Sequence, residues 1–321
     1  MPVESITVAT TVALTIAVII NPIAGKGRRS DLARDRAQCA ASLVAASGLD
    51  TQAVQVLVTE RAGHARELTV GMLAQGVTTV VAWGGDGTVN EVASALAFRD
   101  ARLAVVPTGS GNGLARELCI PFEPARAFAV ALEGRTCHID AGELDGRLFC
   151  NLAGIGLDAQ VAHGFAAGGS TKRGLTRYVT VTARELLSYQ AQDYVVVTDG
   201  NSRHVRPLLI AIANGRQYGN GAVIAPAARL DDGKLDVVIV SVRSPLAVLA
   251  QVPRMFSGQI AQARGVTSVP AVDIEVSSAH AQTYHVDGEP FVGGTSMAAR
   301  PLVRALRVVA PTDAKLDLLI T

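Results

Sequence analysis

The stretch Val77-Thr78-Thr79-Val80-Val81-Ala82-Trp83 runs directly into Gly84-Gly85-Asp86-Gly87-Thr88-Val89-Asn90-Glu91. The first seven residues form a β-branched, mainly apolar run of the kind buried on both faces of a parallel sheet. Val92-Ala93-Ser94-Ala95-Leu96-Ala97 then reads as a helix. A glycine turn from a buried strand into a helix aims backbone N–H groups and the positive end of a dipole at an anion. Asp86 is the odd member. A carboxylate there repels phosphates unless a divalent cation stands between, or unless the carboxylate takes part in the chemistry. Glycines that served only tight helix packing would give no reason for it. The junction therefore points to a magnesium nucleotide and phosphoryl transfer.

Outward from this junction, residues 13–140 alternate short apolar runs with alanine-rich stretches. Strands are expected at Leu14–Ile20, Thr51–Val58, Thr79–Trp83 and Leu103–Pro107, and helices at Arg29–Ala46, Ala62–Gln75, Val89–Ala97 and Ala125–Glu133. Such alternation predicts a Rossmann-like parallel α/β domain, with ligands beyond the carboxyl ends of the strands. After residue 140 β-branched runs follow one another: Val195–Thr198, Pro207–Asn214, Lys234–Val242, Val272–Ser277 and Arg304–Val309. Helical stretches interrupt them only at Gly174–Ser188 and Pro245–Gly258. That predicts an antiparallel β-sandwich for residues 141–309, with residues 310–321 returning to pack on the first domain.

Composition narrows the function. A net charge of +1 supplies no global field for nucleic acid or an anionic membrane. Cys39, Cys119, Cys137 and Cys150 form no CxxC pair, and the six histidines are dispersed, so neither a disulfide framework nor a zinc site is expected. Ile6–Ile20 is uncharged but too short to span a bilayer, and it lacks the basic flank of a secretory signal. A cytoplasmic protein is expected.

Two more glycine turns fall at predicted strand ends. Asn21-Pro22-Ile23-Ala24-Gly25-Lys26-Gly27-Arg28-Arg29 lacks the spacing of a Walker A loop, but Gly25 and Gly27 admit a ligand and Lys26 supplies charge. In Pro107-Thr108-Gly109-Ser110-Gly111-Asn112-Gly113, the glycines make room beside the Ser110 hydroxyl and the Asn112 amide. Thr59 either caps the following helix or touches the nucleotide. In the second half, His285-Val286-Asp287-Gly288-Glu289-Pro290 places two carboxylates around a glycine. In extended backbone Asp287 and Glu289 would point the same way and converge on one proton or metal; a hairpin turn with solvated acids is the other reading. Arg229-Leu230-Asp231-Asp232-Gly233-Lys234 is either an oxygen-rich cation site or a hairpin turn.

In this order, Asn-Pro-x-x-Gly at 21–25, Gly-Gly-Asp-Gly-Thr at 84–88, Pro-x-Gly-Ser-x-Asn at 107–112 and Asp-Gly-Glu at 287–289 resemble the diacylglycerol kinase catalytic-domain family, which includes sphingosine and ceramide kinases. The resemblance implies an ATP- and Mg2+-dependent lipid kinase, with its active site between an α/β and a β-rich domain. Asn21, Gly25, Lys26, Thr59, Gly84, Gly85, Asp86, Gly87, Thr88, Asn90, Gly109, Ser110 and Asn112 are the expected nucleotide-binding set. Glu289 is the favoured proton acceptor, with Asp287 beside it and Asp86 as a rival. Asp232, with the carbonyls of Arg229 and Lys234, matches a structural magnesium loop. Gly113 stands where diacylglycerol-kinase members often carry Asp, and the segment looks more like the sphingosine-kinase version. The expected partners are a lipid presented at a membrane surface, reached by peripheral association, and a second copy in a homodimer, with no nucleic acid. The alternatives are an NAD kinase-like small-molecule kinase and a catalytically idle lipid or nucleotide binder.

Overall fold

The computed structural model describes residues 15–24, 29–167, 181–182, 184–186, 188–241 and 245–312. Four parallel strands, β1 (Ile16–Ile20), β2 (Val54–Val58), β3 (Thr79–Gly84) and β4 (Arg102–Pro107), alternate with α1 (Arg29–Ala46), α2 (His64–Ala74) and α3 (Asp86–Leu96). A short α4 (Gly113–Glu117) and α5 (Pro124–Glu133) follow. The expected strand at Thr51 begins late because Asp50 accepts a hydrogen bond from the Gln52 N–H and winds residues 51–53 into a 3-10 turn. The expected helix at Val89 begins early, since Asp86-Gly87-Thr88 themselves form its first turn. The strand order β2-β1-β3-β4 sends the chain one way from β1 to β2 and the other way to β3. That reversal opens a crevice beyond the carboxyl ends of β1 and β3.

The second half is β-rich. Its strands are β5 (Arg135–Leu144), β6 (Arg147–Phe149), β7 (Leu152–Gly156), β8 (Tyr194–Thr198), β9 (Asn201–Val205), β10 (Leu209–Ala213), the pair β11 (Gln217–Gly219) and β12 (Ala222–Val223), β13 (Leu235–Val240), β14 (Val266–Ala271), β15 (Ile274–Ser278), β16 (Thr283–Val286), β17 (Glu289–Val292) and β18 (Ser296–Ala310). Helix α6 (Leu157–Ala167) follows β7, and a further helix spans Pro245–Phe256. A six-stranded antiparallel sheet runs β14-β13-β10-β7-β16-β17. The other sheet has ten strands and joins the two halves, continuing from β4 through β18, β15, β8 and β9, with β5 and β6 alongside. Apolar side chains from the two sheets, among them Phe149, Val196, Ile274, Ile155, Ile212, Val237 and Tyr284, fill the sandwich between them.

Strand β18 does the joining. It runs parallel to β4 at Arg307↔Arg102 and antiparallel to β5 and β15. Only its end was legible as a strand, because Pro301 interrupts the run and Arg304 adopts φ 50° where the register with β5 shifts. Residues 313–321 lie outside the described ones. So does Arg177 of the Gly174–Ser188 stretch, whose Leu186 packs in a cluster with Leu157, Val161 and Leu208.

Candidate active site

The parallel strands end level with one another. Ile20 is in register with Trp83 and Gly84 with Pro107. The Asn21 N–H donates to the Trp83 carbonyl at 2.9 Å and the Thr108 N–H to the Gly84 carbonyl at 2.8 Å. The two glycine loops then meet backbone to backbone. A β-carbon on Gly109 would stand 2.6 Å from Gly85 Cα. In front of α3, by contrast, a β-carbon on Gly87 would meet nothing within 4 Å. The N-cap of α3, Gly85, offers no side chain, and the N–H groups of Gly87 and Thr88 have no acceptor among the described residues. An uncapped helix terminus facing open space at the switch point fits a polyphosphate. Two substitutions separate these roles. Gly109→Ala is expected to force the loops apart, costing about 1–3 kcal/mol of stability together with nucleotide affinity. Gly87→Ala is expected to keep the melting temperature while its methyl weakens ATP binding. Calorimetric titration and thermal denaturation of both variants check this.

Asp86 has a structural reason after all. Its Oδ2 accepts from the Asn112 N–H at 2.8 Å and its Oδ1 from the Gly113 N–H at 2.7 Å, so it caps α4 and ties the loop after β3 to the loop after β4. Gly111 must be glycine beside it, since a β-carbon there would lie 2.6 Å from Oδ2. From the other described residues the carboxylate accepts only these two hydrogen bonds, which leaves it acceptor capacity to spare. Burial pushes its pKa up, the charge of Asp287 adds to this, and the two N–H groups oppose it.

The extended reading of 287–289 is corrected by the structure. Val286 pairs with Glu289 across a two-residue hairpin whose Asp287 and Gly288 have φ 45° and 85°, the hand that matches strand twist. The two carboxylates therefore do not converge. Asp287 turns inward. Its Oδ1 accepts from the N–H groups of Asn151 (2.9 Å) and Leu152 (3.2 Å), and its Oδ2 from the Cys150 N–H (2.7 Å) and Asn90 Nδ2 (2.8 Å). All four of its acceptor positions are filled. Glu289 opens β17 as an exposed residue, with no hydrogen bond or ion pair among the described residues. Burial and the charge of Glu91 raise its pKa, against the pull of Arg147.

Several residues of the expected nucleotide-binding set hold the frame. Asn21 Nδ2 donates to Thr88 Oγ1 at 2.9 Å while its Oδ1 accepts from the Ile23 N–H at 3.0 Å. Asn90 Nδ2 also donates to the Leu148 carbonyl at 2.8 Å, and the Asn112 amide is spent on both backbone groups of Gly109. Ser110 is exposed, and its hydroxyl makes no hydrogen bond among the described residues. Thr59 is buried and does not cap α2; the cap is Glu91, which accepts from the N–H groups of Gly63 (2.8 Å) and Ala65 (2.9 Å). Gly25 and Lys26 lie outside the described residues. Asp232 is exposed and accepts from the Lys234 N–H at 3.1 Å, and the Arg229–Lys234 turn is pinned by Asp140 Oδ2 through the Gly233 N–H at 2.7 Å. The described residues hold no group of three His, Cys, Asp or Glu side chains placed to bind a metal.

Sequence reading passed over three contributors. Arg36 of α1 donates to the carbonyls of Asn21 and Ala24, holding the first turn in place. Asn151 fills the space beside Gly113, where a β-carbon would come within 2.6 Å of its Nδ2, so the seat of the missing carboxylate is taken. Buried His285 backs the hairpin. Its Nδ1 accepts from the Gly288 N–H at 3.2 Å, which leaves the ring proton on Nε2, 3.0 Å from buried Asp158 Oδ2. The hydroxyl of Tyr218 donates to the other oxygen of Asp158. Only proximity in the fold assembles these residues, and no local pattern announces them.

Comparison with known proteins agrees with this geometry. The diacylglycerol kinase catalytic domain matches residues 15–144, and the YegS C-terminal NAD kinase beta sandwich-like domain matches residues 151–310. A Pseudomonas aeruginosa protein named "probable lipid kinase YegS-like" is 37% identical over 254 residues, 74% of this chain and 78% of that one. A Pseudomonas fluorescens protein of the same name is 32% identical over 82% of this chain and 87% of that one. A diacylglycerol kinase structure from Bacillus anthracis str. Sterne has a TM-score of 0.68 at 20% identity, covering 93% of this chain and 97% of its own. At that identity the last likeness speaks for the fold alone.

Proposed function

The chain belongs to the diacylglycerol kinase catalytic-domain family and is a lipid kinase, a phosphotransferase with an alcohol group as acceptor, and from that premise we propose that it moves the γ-phosphoryl group of ATP, with Mg2+, onto a lipid hydroxyl. The observation that carries the nucleotide assignment is the uncapped start of α3, open to space in front of Gly87. The free N–H groups of Gly87 and Thr88 receive phosphate oxygens there, and the Ser110 hydroxyl adds a donor. When bound, Mg2+ would supply neutralisation of phosphate charge. Asp86 would hold it through the acceptor capacity its carboxylate keeps beyond the two loop hydrogen bonds. One protein carboxylate with phosphates and water completing the shell is a usual arrangement for this ion. Glu289, which among the described residues makes no hydrogen bond or ion pair, takes the proton of the acceptor hydroxyl. Asp287 serves as the clamp that fixes the hairpin on which Glu289 stands.

No helix among the described residues is long and apolar enough to cross a membrane. We place the acceptor at a membrane surface, met by peripheral association. Purified protein with labelled ATP, Mg2+ and vesicles of diacylglycerol, sphingoid base or phospholipid is expected to yield a labelled lipid, and omitting Mg2+ to abolish it. Label appearing on NAD and on no lipid would overturn this reading in favour of a small-molecule kinase. ATP binding without any transfer would leave an idle binder.

A further inference from the structure

We propose that Arg147, which no motif marks, is a further catalytic residue of this site, its guanidinium gripping the phosphoryl group as it arrives on the acceptor oxygen. The proposal rests on the lipid-kinase reading above.

The geometry begins on β17. Glu289 and Phe291 are two residues apart in a strand and face the same side. The Arg147 guanidinium lies over the Phe291 ring, 3.9 Å from its centroid, and its Nε donates to the Tyr284 hydroxyl at 3.1 Å. Tyr284 is itself paired with Phe291 across the hairpin. Two rings thus hold an exposed guanidinium on the face of the hairpin that carries Glu289, near enough for its charge to act on that carboxyl. The strand bearing it is also fastened to the phosphate end of the crevice. The carbonyl of Leu148, the next residue, accepts from Asn90 Nδ2, and Asn90 sits one helical turn, about 5 Å, from the start of α3.

Arg147 has no carboxylate within ion-pair distance, and neither of its terminal nitrogens makes a hydrogen bond among the described residues. A guanidinium fixed by stacking, with its fork free, is arranged for bidentate binding of phosphate oxygens. The site needs such a cation. Glu289 is a negative base, the charge of Glu91 reaches it, and the incoming phosphoryl group is negative as well. Without a cation between them, the base would repel the group whose transfer it promotes.

The step balances. The acceptor oxygen bonds to the γ-phosphorus as the bond from that phosphorus to the bridging oxygen breaks. The electron pair departs on ADP, and the hydroxyl proton passes to Glu289. Arg147 stays protonated throughout and donates its Nη hydrogens to the transferring oxygens.

The test compares wild type, Arg147→Met, Arg147→Lys and Arg147→Ala in the vesicle assay. Arg147→Met keeps an apolar chain over Phe291 and is expected to lower kcat by about 10²–10³-fold, with the KM for ATP and the melting temperature little changed. Arg147→Lys is expected to recover part of the loss, and added guanidinium ion to restore turnover to Arg147→Ala. An unchanged kcat in Arg147→Met overturns the proposal. A raised lipid KM at unchanged kcat moves the guanidinium to the lipid headgroup and overturns it too, as does a lowered melting temperature with full activity per folded molecule. Failure of the wild type to phosphorylate any lipid is seen before any variant is compared, and it overturns the kinase reading instead.

Discussion

Glu289→Gln is expected to lower kcat by about 10²–10⁴-fold, the usual contribution of a positioned general base, while leaving the fold and ATP affinity intact. The separation follows from the partners of the three carboxylates. Asp86 and Asp287 accept backbone hydrogen bonds that hold loops together, so removing either disturbs structure as well as chemistry. Glu289 has no such duty. An amide of the same shape leaves no buried donor stranded, and lost turnover then reports the lost basicity. The pH profile gives a second reading. Burial and the charge of Glu91 outweigh Arg147 and hold the Glu289 carboxyl above its ordinary range. The base works only when ionised, so activity should fall on the acid side as pH drops through that raised pKa. Arg147→Met, which removes the opposing cation, should move this limb to still higher pH. An acid limb at the ordinary carboxylate value, or full turnover in Glu289→Gln, would take the base role away from this residue.

Much of the α/β half was legible, because its signals are local. Helix α1 occupies the expected residues 29–46, and β3 and β4 lie within a residue of expectation, since apolar runs between glycine turns leave little choice. The sandwich was legible as a class and not in its parts. Strands β5, β6, β7, β9, β11, β12, β14, β16 and β17 were not expected. Arg135–Leu144 mixes charged and apolar residues, and its pairing with β18, from Leu144↔Ala299 to Arg135↔Ala310, spans a separation that leaves no mark in either segment. The site shows the same division. The turns that bear Asp86 and Asp287 could be named from composition, since glycine at a close approach or at positive φ is a local demand. What each carboxylate does could not be, because its partners come from elsewhere: Asn112 and Gly113 for Asp86, and Cys150, Asn151, Leu152 and Asn90 for Asp287. Arg147 escaped notice for the same reason, its rings being supplied by a hairpin well over a hundred residues away.

The clamp itself yields the largest expected effect on stability. Asp287→Ala should cost about 3–5 kcal/mol, since several donors lose their acceptor at about 1–3 kcal/mol for each one left unpaired, and should shift the midpoint of urea unfolding accordingly. Three main-chain N–H groups and the Asn90 amide lose their acceptor at once. Asp287→Asn should not rescue the loss, since its NH2 would face one of those donors in place of an oxygen. The pH dependence then separates charge from geometry. Burial outweighs the four hydrogen bonds and raises the Asp287 pKa in the folded state. The stability linked to this proton is therefore fully present below the unfolded value, about pH 3.9, and is lost as pH rises through the folded one. Subtracting the Asp287→Asn unfolding curve from that of the wild type should isolate this slope, with the advantage of the wild type shrinking from acid toward neutral pH while remaining favourable. An advantage that grows over the same interval would mean that the four donors outweigh burial, and Asp287 would then hold its hairpin as an ordinary low-pKa carboxylate.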